Sequence, residues 1–257
     1  MTTPAKVYIV GAGPGDPELI TVRGQKRLAE ADVVVYAGSL VPEAMLVHCR
    51  PDVELVDTRS HVLETWLPLI VDRVKAGQTV VRLQDGDPCL YGALHELTVY
   101  LLKHEVSFEV VPGVSAFQAA AARLRAELTV PDLVQTIILT RTQGTTNVPS
   151  AEDLDTLATH RASLCLYLSA HHIAKAQQQL MEHYSPETPT ALCYRLGWED
   201  EFVKIGRLDE MARMTHDAKL TRTVLYIVSP ALSANPEARS KLYSPKCGHI
   251  FRAKVEG

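Results

Sequence analysis

Residues 7–21, VYIVGAGPGDPELIT, join an apolar run to a loop rich in glycine and proline. The run from Val7 to Val10 predicts a strand, and the glycines after it predict a tight turn that lets backbone approach a neighbour closely. A strand followed by such a loop is typical of the first turn of nucleotide-binding α/β folds. The chemistry of this loop therefore decides which kind of ligand the fold can take.

The loop does not suit the pyrophosphate of a dinucleotide. That ligand needs free N–H groups at a helix N-terminus and a small third residue that lets the helix pack closely. Pro14 and Pro17 each remove an N–H donor, and Asp16 places negative charge where phosphate would lie. The ribose-binding acid is also absent, because residues 32–39, DVVVYAGS, carry their only acid at the wrong end. We expect a tight turn beside an uncharged or cationic ligand.

Composition predicts a globular protein of one large domain or two ordinary ones, with 257 residues, 46% hydrophobic and 22% charged. The net charge of -4 does not support a nucleic-acid or anionic-membrane partner. Apolar runs fall short of the roughly 20 residues of a membrane span, so we expect a cytoplasmic protein. The scattered cysteines predict reduced thiols and no zinc site; they are Cys49, Cys89, Cys165, Cys193 and Cys247.

Strand-like and helix-like runs alternate in the first half, which favours a mostly parallel sheet. Strands follow one another more closely in the second half, which favours a mixed sheet. We predict an α/β protein of two lobes with a cleft between them. The lobes are residues 1–113 and 114–232, followed by a polar tail, 233–257.

Glycine-bearing loops follow most of the predicted strands. Ligands of open α/β sheets bind beyond the carboxyl ends of the strands, so these loops outline one cleft. In the loop QDGDPCLYG, residues 84–92, Asp85 and Asp87 suit a turn or ligand contact better than a hard cation, which needs more oxygen ligands.

The ten histidines show no metal-ligand spacing, and adjacent histidines such as His171 and His172 rarely bind one ion, so we predict no metal site. Arg141 and Arg195 stand at the ends of predicted strands. Such arginines are often only solvated charges, but two in equivalent places favour an acidic substrate.

Several motifs, in this order, resemble the tetrapyrrole (corrin and porphyrin) methyltransferases: VYIVGAGPGDPELIT, DGDPCLYG, VPGVSA, CLYLS and TPTALCYR. The resemblance runs from Lys6 to Ser229. Within that family, YAGSLV, the loop at residues 140–149 and the tail SKLYSPKCGHIFR resemble the branch that methylates C11 of precorrin-4 or cobalt-precorrin-4 to give (cobalt-)precorrin-5 in cobalamin biosynthesis. Gln84 and Leu97 depart from that branch's usual residues.

The resemblance implies a tetrapyrrole methylase fold that uses S-adenosyl-L-methionine and releases S-adenosyl-L-homocysteine. It implies cofactor contacts at Pro14, Asp85, Gly86, Asp87, Leu90, Tyr91, Ser115, Ala116, Leu168 and Leu196. We expect the tetrapyrrole to contact Gly13, Gly15, Asp16, Arg141 and Arg195. No residue is predicted as a general base.

The resemblance also implies a homodimer and a tetrapyrrole as the partner. From the net charge and the short apolar runs we expect no nucleic-acid and no membrane partner. Three alternatives to C11 methylation remain: methylation at another ring position, methylation of RNA by a protein of the same fold, and a binding module without activity. The sequence does not indicate whether the substrate contains cobalt.

Overall fold

The computed structural model describes residues 5–144 and 146–234, so the predicted tail lies outside the described residues beyond Ala234, as does Cys247. The chain divides into two compact units. Unit 1 comprises Met1–Ala119 and Arg195–Glu201, and unit 2 comprises Ala120–Tyr194 and Phe202–Gly257. Among the described residues, no helix has the length and apolar character needed to cross a membrane.

Unit 1 contains a sheet of five strands, which run parallel in the order β3-β2-β4-β1-β5. Their bounds are β1 (Val7–Gly11), β2 (Val33–Tyr36), β3 (Glu54–Asp57), β4 (Val80–Gln84) and β5 (Phe108–Val111). β1, β2 and β4 are buried throughout, because helices cover both faces of the sheet. All five strands therefore end at one edge, which we call the carboxyl edge.

The helices of this unit are α1 (Val22–Glu30), α2 (Leu63–Lys75) and α3 (Leu94–Lys103). Trp66 and Ile70 of α2 and Leu97 of α3 pack on one face of the sheet with Val80. Leu28 of α1 belongs to the core of the opposite face. A fourth helix, α4 (Ala116–Leu124), contains the division between the units.

Unit 2 contains a mixed sheet in the order β6-β7-β10-β8-β9. The strands are β6 (Ile137–Arg141), β7 (Ser163–Tyr167), β8 (Pro189–Tyr194), β9 (Phe202–Arg207) and β10 (Val224–Val228). β6 and β7 are parallel, whereas the other pairs are antiparallel. Three helices, α5 (Leu154–Ala158), α6 (Ile173–Met181) and α7 (Met211–Asp217), cover one face, where Ile173, Leu180 and Met211 join its core.

The predicted α/β class is confirmed, with one parallel and one mixed sheet. The division between the units falls after Ala119, whereas the sequence placed the lobe boundary after Gly113. A further difference is that Arg195–Glu201, which follows β8 along the chain, is counted with unit 1.

Candidate ligand site at the carboxyl edge

Four glycines of unit 1 bring three loops together at the carboxyl edge. Gly13 and Gly86 form a reciprocal bridge, with N–H···O distances of 3.1 and 2.8 Å. A Cβ at Gly11 would lie 2.6 Å from the Cα of Gly113 and 2.7 Å from the carbonyl oxygen of Gly86. Real Cβ atoms do not approach so closely, so only glycine fits, and the loops after β1, β4 and β5 form one backbone cluster.

The first loop has no free N–H pair for a pyrophosphate at this point. The N–H of Ala12 donates to the carbonyl of Gln84 at 2.7 Å, and the N–H of Gly13 donates to Gly86. Asp16 accepts a hydrogen bond from the N–H of Glu18 at 2.9 Å and caps the short helical turn Pro17–Leu19. These contacts agree with the prediction that the loop is a turn and not a phosphate cradle.

Asp87 joins two of the loops. One carboxylate oxygen accepts from the N–H of Cys89 at 2.8 Å, and the other accepts from the N–H of Gly113 at 2.9 Å. Both oxygens are therefore used within the protein. The side chain holds the turn after β4 against the loop after β5.

Asp85 differs from Asp87, because its side chain is accessible to solvent. Protein atoms in its wider surroundings nevertheless limit hydration and raise its pKa. The guanidinium of Arg82 opposes this shift and favours the charged carboxylate. The accessible carboxyl group of Asp85 can therefore contact a ligand at this edge, and a cationic ligand would favour its ionised form.

Three residues predicted to contact ligand have positive φ, a conformation that costs energy for residues other than glycine. Tyr91 has φ 58°, Leu168 has φ 51° and Arg195 has φ 45°. Leu168 directly follows β7 and is 68% exposed, and Tyr91 is 44% exposed. The side chains of Tyr91 and Leu168 are largely apolar and exposed, so each is free to contact a ligand.

The segment Arg195–Glu201 packs against the first loop within unit 1. The indole Nε1 of Trp198 donates to the carbonyl of Pro14 at 3.3 Å. A Cβ at Gly15 would overlap the indole ring and lie 2.7 Å from the carbonyl oxygen of Leu196. Gly197, with φ +79°, lies so close to Asp16 that an added Cβ would be 2.9 Å from the Cβ of Asp16.

Arg195 is held inside the same segment. Its guanidinium lies 4.2 Å above the ring of Trp198 and forms an ion pair with Asp200 at 2.7 Å. Sequence reasoning missed Trp198 and Gly197 as determinants of this site. The signal available was a Gly-Trp pair immediately after a strand, where only tight packing would require both residues.

The remaining positions predicted for unit 1 lie close to the glycine cluster. Leu90 continues the turn, with its N–H donating to the carbonyl of Asp87 at 3.1 Å. Ser115 is buried, and its N–H donates to the side chain of Gln118 at 2.9 Å just before Ala116 begins α4. A Cβ at Gly86 would lie 3.9 Å from the Cα of Ser115. The structure therefore brings these residues together.

In unit 2, Arg141 and Leu168 lie at the ends of paired strands, since Arg141 is in register with Tyr167. The guanidinium of Arg141 donates to the carbonyls of Thr146 at 3.2 Å and Asn147 at 3.1 Å. Arg141 therefore organises its own loop. The hydroxyl of Ser169 accepts from the N–H of Thr142 at 2.9 Å and links this loop to the end of β7.

One group of possible metal ligands occurs among the described residues, and its members belong to unit 2. Asp155 of α5 and Glu182 and His183, which follow α6, place ligand atoms within 4.8 Å of one another. His183 Nε2 is 3.0 Å from Asp155 Oδ1, and Glu182 is exposed. A surface hydrogen bond accounts for this arrangement, and the absence of a metal site stays a prediction.

Comparison with known proteins identifies the family. The model of the Tetrapyrrole (Corrin/Porphyrin) Methylases matches residues 6–212. A cobalt-precorrin-4 C(11)-methyltransferase of Methanocaldococcus jannaschii is 42% identical over 248 residues, covering 96% of each chain. A precorrin-4 C(11)-methyltransferase of Pseudomonas aeruginosa is 40% identical over 246 residues, covering 96% of this chain and 98% of the relative.

Two solved structures of tetrapyrrole methyltransferases also match this chain. The X-ray structure of a cobalt precorrin-4 methyltransferase, a cobalamin biosynthetic enzyme, matches with a TM-score of 0.85 and 40% identity, covering 88% of this chain and 95% of that chain. A uroporphyrin-III C-methyltransferase of Thermus thermophilus, complexed with S-adenosylhomocysteine, matches with a TM-score of 0.74 and 30% identity over 91% of this chain and 97% of that chain.

The parallel sheet with a glycine cluster at its carboxyl edge and the second, mixed sheet define an α/β protein of the methylase class. The chain belongs to the tetrapyrrole (corrin/porphyrin) methylase family.

Proposed function

We propose that the protein is an S-adenosyl-L-methionine-dependent methyltransferase that methylates C11 of precorrin-4 or cobalt-precorrin-4 in cobalamin biosynthesis. The observation that carries the proposal is identity of 40% or more, along almost the whole chain, to relatives named for that reaction. The product is (cobalt-)precorrin-5, and S-adenosyl-L-homocysteine is released.

The residues at the carboxyl edge fit this cofactor better than a dinucleotide. Asp85 offers an accessible carboxyl group to a cationic ligand, and Tyr91 offers exposed apolar surface. In unit 2, Leu168 is an exposed apolar residue as well. In the first loop the N–H groups of Ala12 and Gly13 are already bonded and Pro14 and Pro17 have none, so few donors remain for a pyrophosphate. The proposed cofactor contacts are Pro14, Asp85, Gly86, Leu90, Tyr91, Ser115, Ala116, Leu168 and Leu196, with Asp87 acting through the turn that it holds.

The proposed substrate contacts are Gly13, Gly15, Asp16, Arg141 and Arg195. When bound, the cofactor supplies a methyl group activated by a positively charged sulfur, and an electron-rich ring carbon of the substrate attacks it. Orientation and exclusion of water contribute most of the rate in such a transfer. The chain's part is therefore to hold the glycine loops rigid, to present the carboxyl group of Asp85 to the cofactor and to bind the substrate carboxylates. We assign no general base and propose a homodimer.

An assay of methyl transfer tests the proposed function. The protein is incubated with S-adenosyl-L-methionine and with precorrin-4 or cobalt-precorrin-4, and the product is examined by mass spectrometry and by NMR after ¹³C-methyl labelling. We expect a gain of one methyl group, located on C11, and faster transfer to one of the two substrates identifies the cobalt content of the natural one.

The relatedness to a uroporphyrin-III C-methyltransferase supports a second candidate, which is methylation at another ring carbon. Uroporphyrinogen III is therefore included as a third substrate. Methylation of that compound, with no transfer to either form of precorrin-4, would replace the first proposal by the second. Calorimetry with NAD and FAD, for which we expect no binding, is the control for cofactor class.

A further inference from the structure

Two arginines of unit 1, Arg59 and Arg82, have no role so far in binding the substrate, although Arg82 acts on the charge of Asp85. Arg59 follows the end of β3 by two residues, and Arg82 lies in β4. Thr58 connects them, because it precedes Arg59 in the chain and its hydroxyl accepts a hydrogen bond from Nη1 of Arg82 at 3.2 Å. The same hydroxyl donates to the carbonyl of Tyr36 at 3.0 Å, at the end of β2.

The guanidinium of Arg59 is oriented by Asp57. The carboxylate of Asp57 accepts from Nε of Arg59, from the N–H of Arg59 at 2.9 Å and from the N–H of Gly38 at 3.0 Å. A Cβ at residue 38 would overlap Nη2 of Arg59, so the glycine makes room for the guanidinium beside the end of β2. Among the described residues, neither Nη1 nor Nη2 of Arg59 donates a hydrogen bond, and its side chain is 51% exposed.

Arg82 is a buried cation without a close counter-ion. It is 8% exposed and lies 4.5 Å over the ring of Trp66. Its Nε is buried without a hydrogen-bond partner, and no carboxylate of the described chain lies within 4.0 Å. Burial lowers its pKa to about 10, and Asp85 opposes this shift from a longer range. A buried charge that is not closely paired is costly, which points to a use for its positive field.

We propose that Arg59, with Arg82 linked to its segment through Thr58, forms a subsite that binds a carboxylate of the tetrapyrrole substrate. The inference rests on the proposed function for the identity of the ligand. Asp57 engages the Nε side of the Arg59 guanidinium and leaves the two Nη groups for an anion. Arg82 adds positive charge next to a pair that would otherwise be neutral.

The two arginines that the sequence suggested for this task are already engaged. Arg141 donates to carbonyls of its own loop, and Arg195 is paired with Asp200 and stacked on Trp198. A planar guanidinium with free Nη groups binds a carboxylate in two places, so Arg59 is better placed for recognition than either of them.

The experiment compares Arg59→Gln, Arg59→Lys and a matched control, Arg73→Gln. Arg73 is likewise partly exposed and pairs with Glu54, the first residue of β3. It therefore controls for the loss of an arginine at the opposite end of the same strand. Affinity for uroporphyrin III, a porphyrin with acetate and propionate side chains, is measured by fluorescence titration. Affinity for S-adenosyl-L-homocysteine is measured by calorimetry and reports that each variant is folded.

We expect Arg59→Gln to weaken porphyrin binding by about 10- to 100-fold, as for a lost charged hydrogen bond. Arg59→Lys should recover part of the loss, because it keeps the charge but not the two-point contact. Arg73→Gln should match the wild type, and all proteins should bind S-adenosyl-L-homocysteine equally. Wild-type porphyrin affinity in Arg59→Gln would overturn the subsite while leaving the proposed function intact. A wild-type protein that binds no porphyrin would overturn the substrate class and the subsite together.

Discussion

Two aspartates of one turn, Asp85 and Asp87, show that the surroundings of a residue determine its role. The sequence predicted the turn and grouped both acids with the ligand. The structure uses both oxygens of Asp87 internally and leaves the carboxylate of Asp85 accessible. Spacing cannot separate the two roles, because the partner of Asp87 is the N–H of Gly113, on another loop.

Asp87→Asn tests this division. An amide can replace only one of the two accepting oxygens, so we expect a loss of about 1–2 kcal/mol in the free energy of unfolding and weaker binding of S-adenosyl-L-homocysteine. Asp85→Asn should leave stability nearly unchanged and weaken the sulfonium cofactor more than its neutral product. Urea denaturation and calorimetry measure both. A larger loss of stability in Asp85→Asn than in Asp87→Asn would reverse the assignment.

Gly197 provides a second test at this scale, with Gly77 as its control. Both have positive φ, +79° and +85°, but only Gly197 is crowded, since a Cβ at Gly77 would meet nothing within 4 Å. Gly77→Ala should cost about 1–2 kcal/mol for its backbone conformation alone. Gly197→Ala should cost more, because Asp16 must move. Equal free energies of unfolding in the two variants would mean that residues 195–201 do not pack tightly against the first loop.

At the scale of elements, the strands that the sequence predicted include every strand that is buried throughout, and also β5 and β6, which lie at edges of their sheets but have apolar sequences. β1, β2, β4 and β10 are buried throughout and appear as apolar runs. The sequence did not predict β3 or β9, which lie at edges of their sheets and are partly exposed. Half-exposed strands carry a weaker hydrophobic pattern, so only pairing with a neighbour defines them. The short helix α7 was missed as well.

Helix α1 follows a capping residue, Thr21, whose contribution to the stability of the protein can be measured. The hydroxyl of Thr21 accepts a hydrogen bond from the N–H of Gly24 at 3.1 Å. We expect Thr21→Ala to lower the free energy of unfolding by about 1 kcal/mol and Thr21→Ser to retain most of it. Thermal or chemical denaturation gives the comparison, and a serine variant as unstable as the alanine variant would rule out the cap as the cause.

The ends of β2 and β3 are joined through Asp57, which makes their stability depend on pH. Burial opposes ionisation of Asp57, but hydrogen bonds from Gly38 and Arg59 outweigh it and lower the pKa. A lowered pKa means that the stabilisation is present above the ordinary value of about 4 and is lost as the pH falls towards the folded-state value. The stability difference between wild type and Asp57→Asn should therefore shrink below about pH 4. A difference that stays constant from pH 7 to pH 3 would contradict this account.

At the scale of the whole molecule, the motifs predicted the family and the two-sheet α/β class, and both are confirmed. The order of strands and the contacts of residues 195–201 could not be predicted. They depend on which distant segments meet, as when Trp198 reaches the carbonyl of Pro14. Periodicity reports the local environment of a residue and carries no information about such partners.

The cysteines report on the integrity of unit 2. Cys165 and Cys193 are buried in its sheet, and burial raises the pKa of Cys165 to about 12, whereas Cys89 of unit 1 is exposed. Alkylation by iodoacetamide at pH 8, followed by peptide mass spectrometry, should modify Cys89 in the native protein. Cys165 should react only after denaturant is added, because a buried thiol is rarely ionised. Equal rates for Cys89 and Cys165 without denaturant would show that the sheet opens readily.

Because Arg195–Glu201 belongs to unit 1, the coding sequence of that unit is divided between two separate parts of the gene. Unit 1 is not encoded by one uninterrupted stretch, because residues that its first loop contacts are read long after Ala119. A fragment that stops at Ala119 would lack the indole beside Gly15 and the backbone beside Asp16. Recombination between relatives that exchanges only the N-terminal half would thus pair a first loop with a foreign partner. The two stretches are expected to be inherited, and to be engineered, as a set.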